Sequence, residues 1–137
     1  MLLLFDLSIG TDCPWHCCTL SYEYGGVSEL RWLGADFLAV GTTRGKIVIF
    51  SIKNDNVSLI SKSWCCSSFR LQRRLVEVTN TKAHGDGAAQ IAVDGLDYCP
   101  RSHRLVSVAE GVGSVRLWNV SNTGEQLIYI LLHVLSK

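Results

Sequence analysis

The chain has 137 residues, of which 47% are hydrophobic and 18% are charged. This length suits about one domain, and this balance is typical of a globular protein with a buried core, so a disordered chain is excluded. The formal net charge is +1, and because nucleic acids and acidic membranes attract clustered Lys and Arg, we expect neither as a partner.

The first segment predicts β-strands rather than a targeting signal. No basic residue precedes the apolar run at residues 1–5, and Asp6 interrupts it, so the plan of a secretory signal is missing. We predict a strand at residues 2–7 and an outer strand at residues 17–23. The longest later apolar stretch, residues 127–135, is far shorter than the roughly 20 residues that a membrane helix needs, so we expect no membrane span.

The middle of the chain predicts three strands at residues 29–33, 37–43 and 46–53, each bounded by turn residues. The strand that follows has two candidates, residues 58–64 and residues 74–80. The last third repeats this plan between residues 91 and 130. Residues 133–137 fit either the beginning of another repeat or a short terminal helix.

One short pattern occurs three times along the chain. "LLLFDLS", "IVIFSIK" and "VRLWNVS" each place an aromatic residue fourth in a run of apolar and β-branched residues, namely Phe5, Phe50 and Trp118. The distance from Phe5 to Phe50 equals one repeat of roughly 40 to 45 residues, and the distance to Trp118 equals one repeat plus an insertion. These copies predict strands packed on both faces.

The second and third copies also match upstream of the aromatic residue. Leu30 and Trp32 correspond to Leu96 and Tyr98, and Gly45 corresponds to Gly113, where a tight turn favours glycine. Arg44 and Val112 directly precede the two turn glycines. We expect Trp32, Phe50 and Trp118 to pack in the core or between sheets.

These repeats resemble the WD-repeat β-propeller family. His84 stands before Trp118 as in that family's Gly-His…Trp-Asp pattern, with Ala83 in place of the Gly and Asn119 in place of the Asp. The resemblance implies an all-β fold of four-stranded antiparallel blades. Its structural repeat positions are Phe5, Trp32, Phe50, His84, Ser107 and Trp118. The family often has an Asp in the turn that Arg44 and Val112 occupy, so His84 and Ser107 would lack a charged partner and the blade would be less rigid.

The resemblance also divides the chain into parts. Residues 1–24 would end one blade, residues 28–82 would form a blade with an inserted loop at about 54–73, residues 84–132 would form a second blade, and 133–137 would be a truncated tail. We favour residues 74–80 as the outer strand of the middle blade, because they lead into His84. Since a propeller needs about four to eight blades, we expect a fragment or truncated isoform of a longer protein, completed by missing blades or a partner.

The function that this resemblance implies is a non-catalytic scaffold that binds proteins or peptides, in the cytoplasm or also the nucleus. Arg70, Arg73 and Arg74 form the candidate partner-binding surface, because guanidinium groups make charge-assisted hydrogen bonds to acidic or phosphate-bearing partners. The alternative is a solvated loop whose charges keep an edge strand from pairing. We expect no cofactor.

The competing interpretation is a small zinc-binding β protein that uses Cys13, His16 and Cys17 with Cys65 or Cys66. The cluster lacks paired Cys-x-x-Cys spacing, and neighbouring strand residues point to opposite faces, so we expect no metal. His84 with Asp86, or Ser107, provides a weak case for nucleophilic catalysis, because no motif presents a nucleophile on a strained turn. We therefore expect no enzyme.

Overall fold

The computed structural model of this chain describes residues 2–4, 16–18, 20–55, 72–85, 88–121 and 127–130. The ten strands within these residues are β1 (Leu2–Leu4), β2 (His16–Cys18), β3 (Val27–Trp32), β4 (Phe37–Thr42), β5 (Lys46–Asp55), β6 (Gln72–Lys82), β7 (Gly95–Cys99), β8 (Arg104–Ala109), β9 (Ser114–Val120) and β10 (Leu127–Ile130). Short 3-10 turns lie at Tyr22–Tyr24 and Glu110–Val112. The prediction of an all-β fold is confirmed. No helix among these residues has the length and apolar character to cross a membrane.

The middle sheet has the strand order β3-β4-β5-β6, and every neighbouring pair is antiparallel. The long β5–β6 ladder runs from Lys46 opposite Lys82 to Asp55 opposite Gln72. Residues 74–80 therefore lie within the outer strand, whereas residues 58–64 lie outside the described part of the chain. The strands also extend further than predicted, so Asn54 and Arg73 pair in the ladder rather than belonging to the inserted loop.

The C-terminal sheet has the order β10-β9-β8-β7, again with antiparallel neighbours. Gly113 has a φ of 60° at the turn before β9, and Gly45 has a φ of 77° at the corresponding turn before β5. Both values lie in the left-handed region that glycine adopts without steric cost. The two sheets thus share one plan of up-and-down strands.

The N-terminal strands β1 and β2 form a two-stranded antiparallel sheet. The prediction of a strand at residues 17–23 is wrong at its end, because Tyr22–Tyr24 forms a 3-10 turn. The amide of Tyr24 donates to the carbonyl of Ser21 at 2.9 Å, and Gly25, with a φ of 75°, ends the turn. Phe5 and the tail at residues 133–137 lie outside the described residues.

The two four-stranded sheets pack face to face around one apolar core. Its buried members are Leu33, Ala39, Ile47, Ile49, Ala83, Val93, Leu96, Leu105, Trp118 and Val120. Gly41 allows the close approach, because a Cβ atom built there would stand 2.8 Å from Cγ1 of Val93. Between the strands, Ser28 Oγ donates to the Val93 carbonyl at 2.6 Å and Arg31 Nε donates to the Leu96 carbonyl at 3.1 Å. The sheets are therefore joined by polar bonds as well as by apolar packing.

The opposite face of the middle sheet carries a second apolar cluster, whose buried members are Tyr24, Leu38, Val40, Val48, Phe50 and Leu75. Phe50 and Trp118 are buried as predicted, with 3% and 2% of their surface exposed. The prediction that Trp32 packs in the core or between sheets is wrong, because it is 45% exposed. Trp32 pairs with Leu38 but lies on β3, an edge strand of its sheet, which has a neighbouring strand on one side only.

Candidate functional site

A buried hydrogen-bond network joins His84 to the C-terminal sheet. Trp118 Nε1 donates to Ser107 Oγ at 2.9 Å, and the same oxygen lies 2.9 Å from His84 Nε2. On the other side of the ring, Ser114 Oγ lies 2.6 Å from His84 Nδ1. A neutral imidazole has one donor and one acceptor, and a hydroxyl group can complement either. Both ring nitrogens are thus engaged.

The environment of His84 keeps its ring uncharged at neutral pH. Burial disfavours the charged form, and the nearby Arg116 guanidinium opposes a second positive charge. Together these effects lower the pKa of His84 to about 4, although Asp94 acts in the opposite direction. Hydrogen-bond partners at both nitrogens hold the ring of His84 in one orientation between Ser107 and Ser114.

The position at which the family often has an Asp partner for the histidine is filled differently here. Ser114, directly after the turn glycine, contacts Nδ1 of His84. Within the described residues, no buried side-chain nitrogen or oxygen is left without a hydrogen bond. Sequence reasoning missed Ser114 because it looked for an acidic residue in the turn before β9, and the reduced rigidity of this sheet stays a prediction.

The connections of both sheets meet at one end of the molecule, which we call the loop end. It comprises the crossover at residues 20–26, the turn at 43–45, the crossover at 83–94, of which 86–87 are not described, and the turn at 110–113. Backbone bonds tie these segments together: the Gly45 carbonyl accepts from the amides of Ala83 at 2.7 Å and His84 at 3.1 Å, and the Val93 amide donates to the Thr42 carbonyl at 3.1 Å. The loop end is therefore a connected surface.

The middle-sheet half of the loop end carries aromatic and basic side chains. Arg44 lies over the ring of Tyr22, 5.1 Å from its centroid, and Lys46 lies 4.8 Å from the centroid of Tyr24. The Tyr24 hydroxyl donates to Glu77 Oε1 at 2.7 Å. This hydrogen bond is the main reason, and burial the second reason, that the pKa of Tyr24 is raised to about 12. Tyr22 itself is 86% exposed and presents its ring to solvent.

The C-terminal half of the loop end contains a shallow cleft of about 510 Å³ that is largely open to solvent. It is lined by Gln90, Ile91, Ala92, Asp94, Glu110, Gly111 and Val112. The amide of Glu110 donates to Asp94 Oδ2 at 2.6 Å, which joins the turn to the crossover. The cleft thus combines apolar walls with two carboxylates.

The predicted partner-binding arginines are distant in sequence from the residues that line this cleft. Arg73 and Arg74 belong to β6, where they pair with Asn54 and Lys53 of β5, and Arg70 lies outside the described residues. Their role in partner binding stays a prediction.

The residues of the competing zinc interpretation are only partly described. His16 and Cys17 lie in β2, whereas Cys13, Cys65 and Cys66 lie outside the described residues, as does Asp86. Among the residues that the structure describes, no group of three or more His, Cys, Asp or Glu side chains is placed to hold a metal ion. The cleft at the loop end was not predicted from the sequence. The one signal for it was the difference between Arg44 and Val112, the residues before the two turn glycines.

Comparison with known proteins identifies no family for this chain. A scan against protein-family models finds no matching family, and a search of curated proteins finds no significant match.

Proposed function

We propose that this chain is part of a WD-repeat-like propeller and acts as a non-catalytic scaffold that binds other proteins at its loop end. It would be a fragment or truncated isoform of a longer propeller protein that works in the cytoplasm or nucleus. Two antiparallel sheets of four strands, stacked face to face, support this architecture. The bonds from His84 to Ser107 and from Trp118 to Ser107 link the crossover to two strands, as the family resemblance leads us to expect.

The observation that carries the proposal is that loops from both sheets form one connected, chemically varied surface. Backbone bonds at Gly45 and Thr42 hold the crossovers and turns in fixed positions. The exposed Tyr22 ring and the exposed Val112 side chain lie on this surface, at 86% and 51% exposure. Loops held by a rigid framework are where proteins commonly place binding residues. A catalytic role for His84 is not favoured, because burial lowers its pKa to about 4, well below the value near neutrality that suits a general base.

Site-specific photo-crosslinking tests this proposal. The photoreactive residue p-benzoylphenylalanine would replace Tyr22 or Val112 at the loop end, and Asp36 or Ser102 at the opposite end as matched exposed controls. We expect discrete protein adducts in cells from the loop-end positions and few from the controls. Adducts that form equally at both ends, or only at Asp36 and Ser102, would contradict the proposal.

A further inference from the structure

The two sheets carry the same turn at the loop end but fill the space beside it differently. Gly45 and Gly113 both adopt a positive φ, 77° and 60°, just before the third strand of their sheets. The residue before the glycine is Arg44 in the middle sheet and Val112 in the C-terminal sheet. The molecule therefore offers two versions of one site, one with a guanidinium group and one without.

In the middle sheet, Arg44 bridges the turn and the crossover. Its Nη1 atom donates to the carbonyls of Tyr22 at 3.2 Å and Glu23 at 3.4 Å, and its guanidinium lies over the Tyr22 ring. A guanidinium group suits such a place, because it combines several donors in one plane with a flat face that stacks on aromatic rings. The site in the middle sheet is thus occupied by the chain's own arginine.

In the C-terminal sheet, the corresponding place is the open cleft. Gln90 and Ile91, which line the cleft, belong to the crossover before β7, as Tyr22 and Glu23 belong to the crossover before β3. Val112 takes the place of the arginine, has no donor group that could bond to the crossover, and is 51% exposed.

The charge of this cleft is also suited to a cation. Asp94 and Glu110 lie in its lining, and none of the lining residues is positively charged. Asp94 Oδ2 accepts the Glu110 amide, but a carboxylate offers about four acceptor positions. Acceptor capacity therefore remains for an incoming donor group.

We propose that this cleft binds an arginine side chain from a partner protein, in the place that Arg44 fills in the middle sheet. The guanidinium group donates to Asp94 and Glu110, and its aliphatic stem contacts Ile91 and Val112. This inference rests on the proposed scaffold function and specifies its partner as a segment that carries an exposed arginine. It follows from the difference between two equivalent turns and from the charge of the cleft.

Binding of a small arginine probe tests the inference. The probe is fluorescein-labelled Gly-Ala-Arg-Ala amide, and its matched control replaces arginine with citrulline, which has nearly the same shape but no charge. Fluorescence anisotropy with the full chain at low salt should give at least tenfold tighter binding of the arginine peptide. The advantage should shrink as salt is added, because the cleft is open to solvent.

Variants of the cleft locate the binding. Glu110→Gln removes one charge from an exposed residue and should weaken the arginine probe several-fold without affecting the citrulline peptide. Val112→Arg supplies the chain with its own arginine and should block binding of the probe. Val115→Arg adds the same charge at an exposed position of β9 outside the cleft. This control should bind the probe nearly as the wild type does, apart from a small salt-sensitive loss.

Three results would overturn the inference: equal binding of the two peptides, wild-type binding by Val112→Arg, or an equal loss from Val115→Arg. Glu110→Gln keeps the test decisive if Val112→Arg does not fold. The scaffold proposal fails separately, through crosslinking that does not favour the loop end. Loop-end crosslinks without arginine preference would reject only the cleft inference.

Discussion

The substitution Ser107→Ala should destabilise the C-terminal sheet through the removal of one oxygen atom. Ser107 Oγ accepts from Trp118 Nε1 and is hydrogen-bonded to His84 Nε2, both at 2.9 Å, and the Ser107 and His84 side chains are fully buried. Removing the partner of a buried polar group costs about 1–3 kcal/mol, because water cannot replace it. Since the variant leaves both Trp118 Nε1 and His84 Nε2 without this partner, we expect the free energy of unfolding to fall by about 2–4 kcal/mol.

The loss of stability expected for Ser107→Ala is best judged against the loss expected for Ser114→Ala. Ser114 makes the shorter contact with His84, 2.6 Å to Nδ1, but it is only half-buried. Water can reach such a site in part, so we expect a loss of about 1 kcal/mol. Ser21→Ala is the control, since Ser21 is exposed and its side chain makes no capping bond.

Urea unfolding followed by tryptophan fluorescence measures these differences. All variants are compared at one protein concentration, because association would make the transition depend on it. The reasoning predicts the order Ser107→Ala, then Ser114→Ala, then Ser21→Ala, from most to least destabilised. Equal losses for Ser107→Ala and Ser21→Ala would refute it, since the network would then contribute nothing to stability.

Three further predictions concern acid, glycine and the exposed tryptophan. The pKa of His84 is lowered to about 4 in the folded chain, from an ordinary value of about 6.5. As pH falls, the unfolded chain therefore binds a proton first, and up to about 3 kcal/mol of stability is lost between about pH 6.5 and pH 4. Urea unfolding should show this loss in the wild type and not in His84→Gln, and a His84 pKa near 6.5 by NMR titration would contradict the prediction. Gly45→Ala should lower the free energy of unfolding by more than about 3 kcal/mol, because the new Cβ atom would stand 2.4 Å from the Ile91 carbonyl oxygen. Gly113→Ala places its Cβ atom more than 4 Å from any neighbour and should lower it by about 1 kcal/mol. Similar melting temperatures for the two variants would argue against the close approach at Gly45. Trp32→Ala should cost about 1 kcal/mol and Phe50→Ala about 3–5 kcal/mol, in line with their 45% and 3% exposure, and the reverse order in urea unfolding would be inconsistent with this burial.

The parts of the fold that the sequence predicted are those set by local pattern. Alternating apolar residues and turn glycines such as Gly45 and Gly113 marked the strands and hairpins, because strand period and positive φ depend on few neighbouring residues. Burial of Phe50 and Trp118 followed from the repeated aromatic position. Local pattern therefore predicted the strands and the hairpins between them, whereas the four-stranded order of each sheet was expected only from the family resemblance.

The features that escaped prediction depend on where an element lies in space. Trp32 has the same local pattern as a core residue, yet its position on an edge strand leaves it exposed. Ser114 contacts His84 from far along the chain, and serine carries no distinctive motif. The cleft arises from the packing of the turn at 110–113 against residues 90–94, which no short stretch of sequence specifies.

An open stack of sheets has a consequence for the behaviour of the chain in solution. Leu30 and Trp32 on the edge strand of the middle sheet are 44% and 45% exposed, and Val115 on β9 is 41% exposed. Exposed apolar residues on sheet faces and edges favour association, because contact with another surface removes them from water. The partial-propeller proposal therefore requires a partner surface at these faces.

Size-exclusion chromatography with light scattering, followed by a thermal melt, tests the partial propeller most directly. The proposal predicts that the expressed chain associates, as a defined oligomer or as aggregates, because apolar residues such as Leu30, Trp32 and Val115 are exposed on its sheets. A stable monomer of 15.1 kDa with one cooperative unfolding transition would contradict it, since the chain would then close its own core.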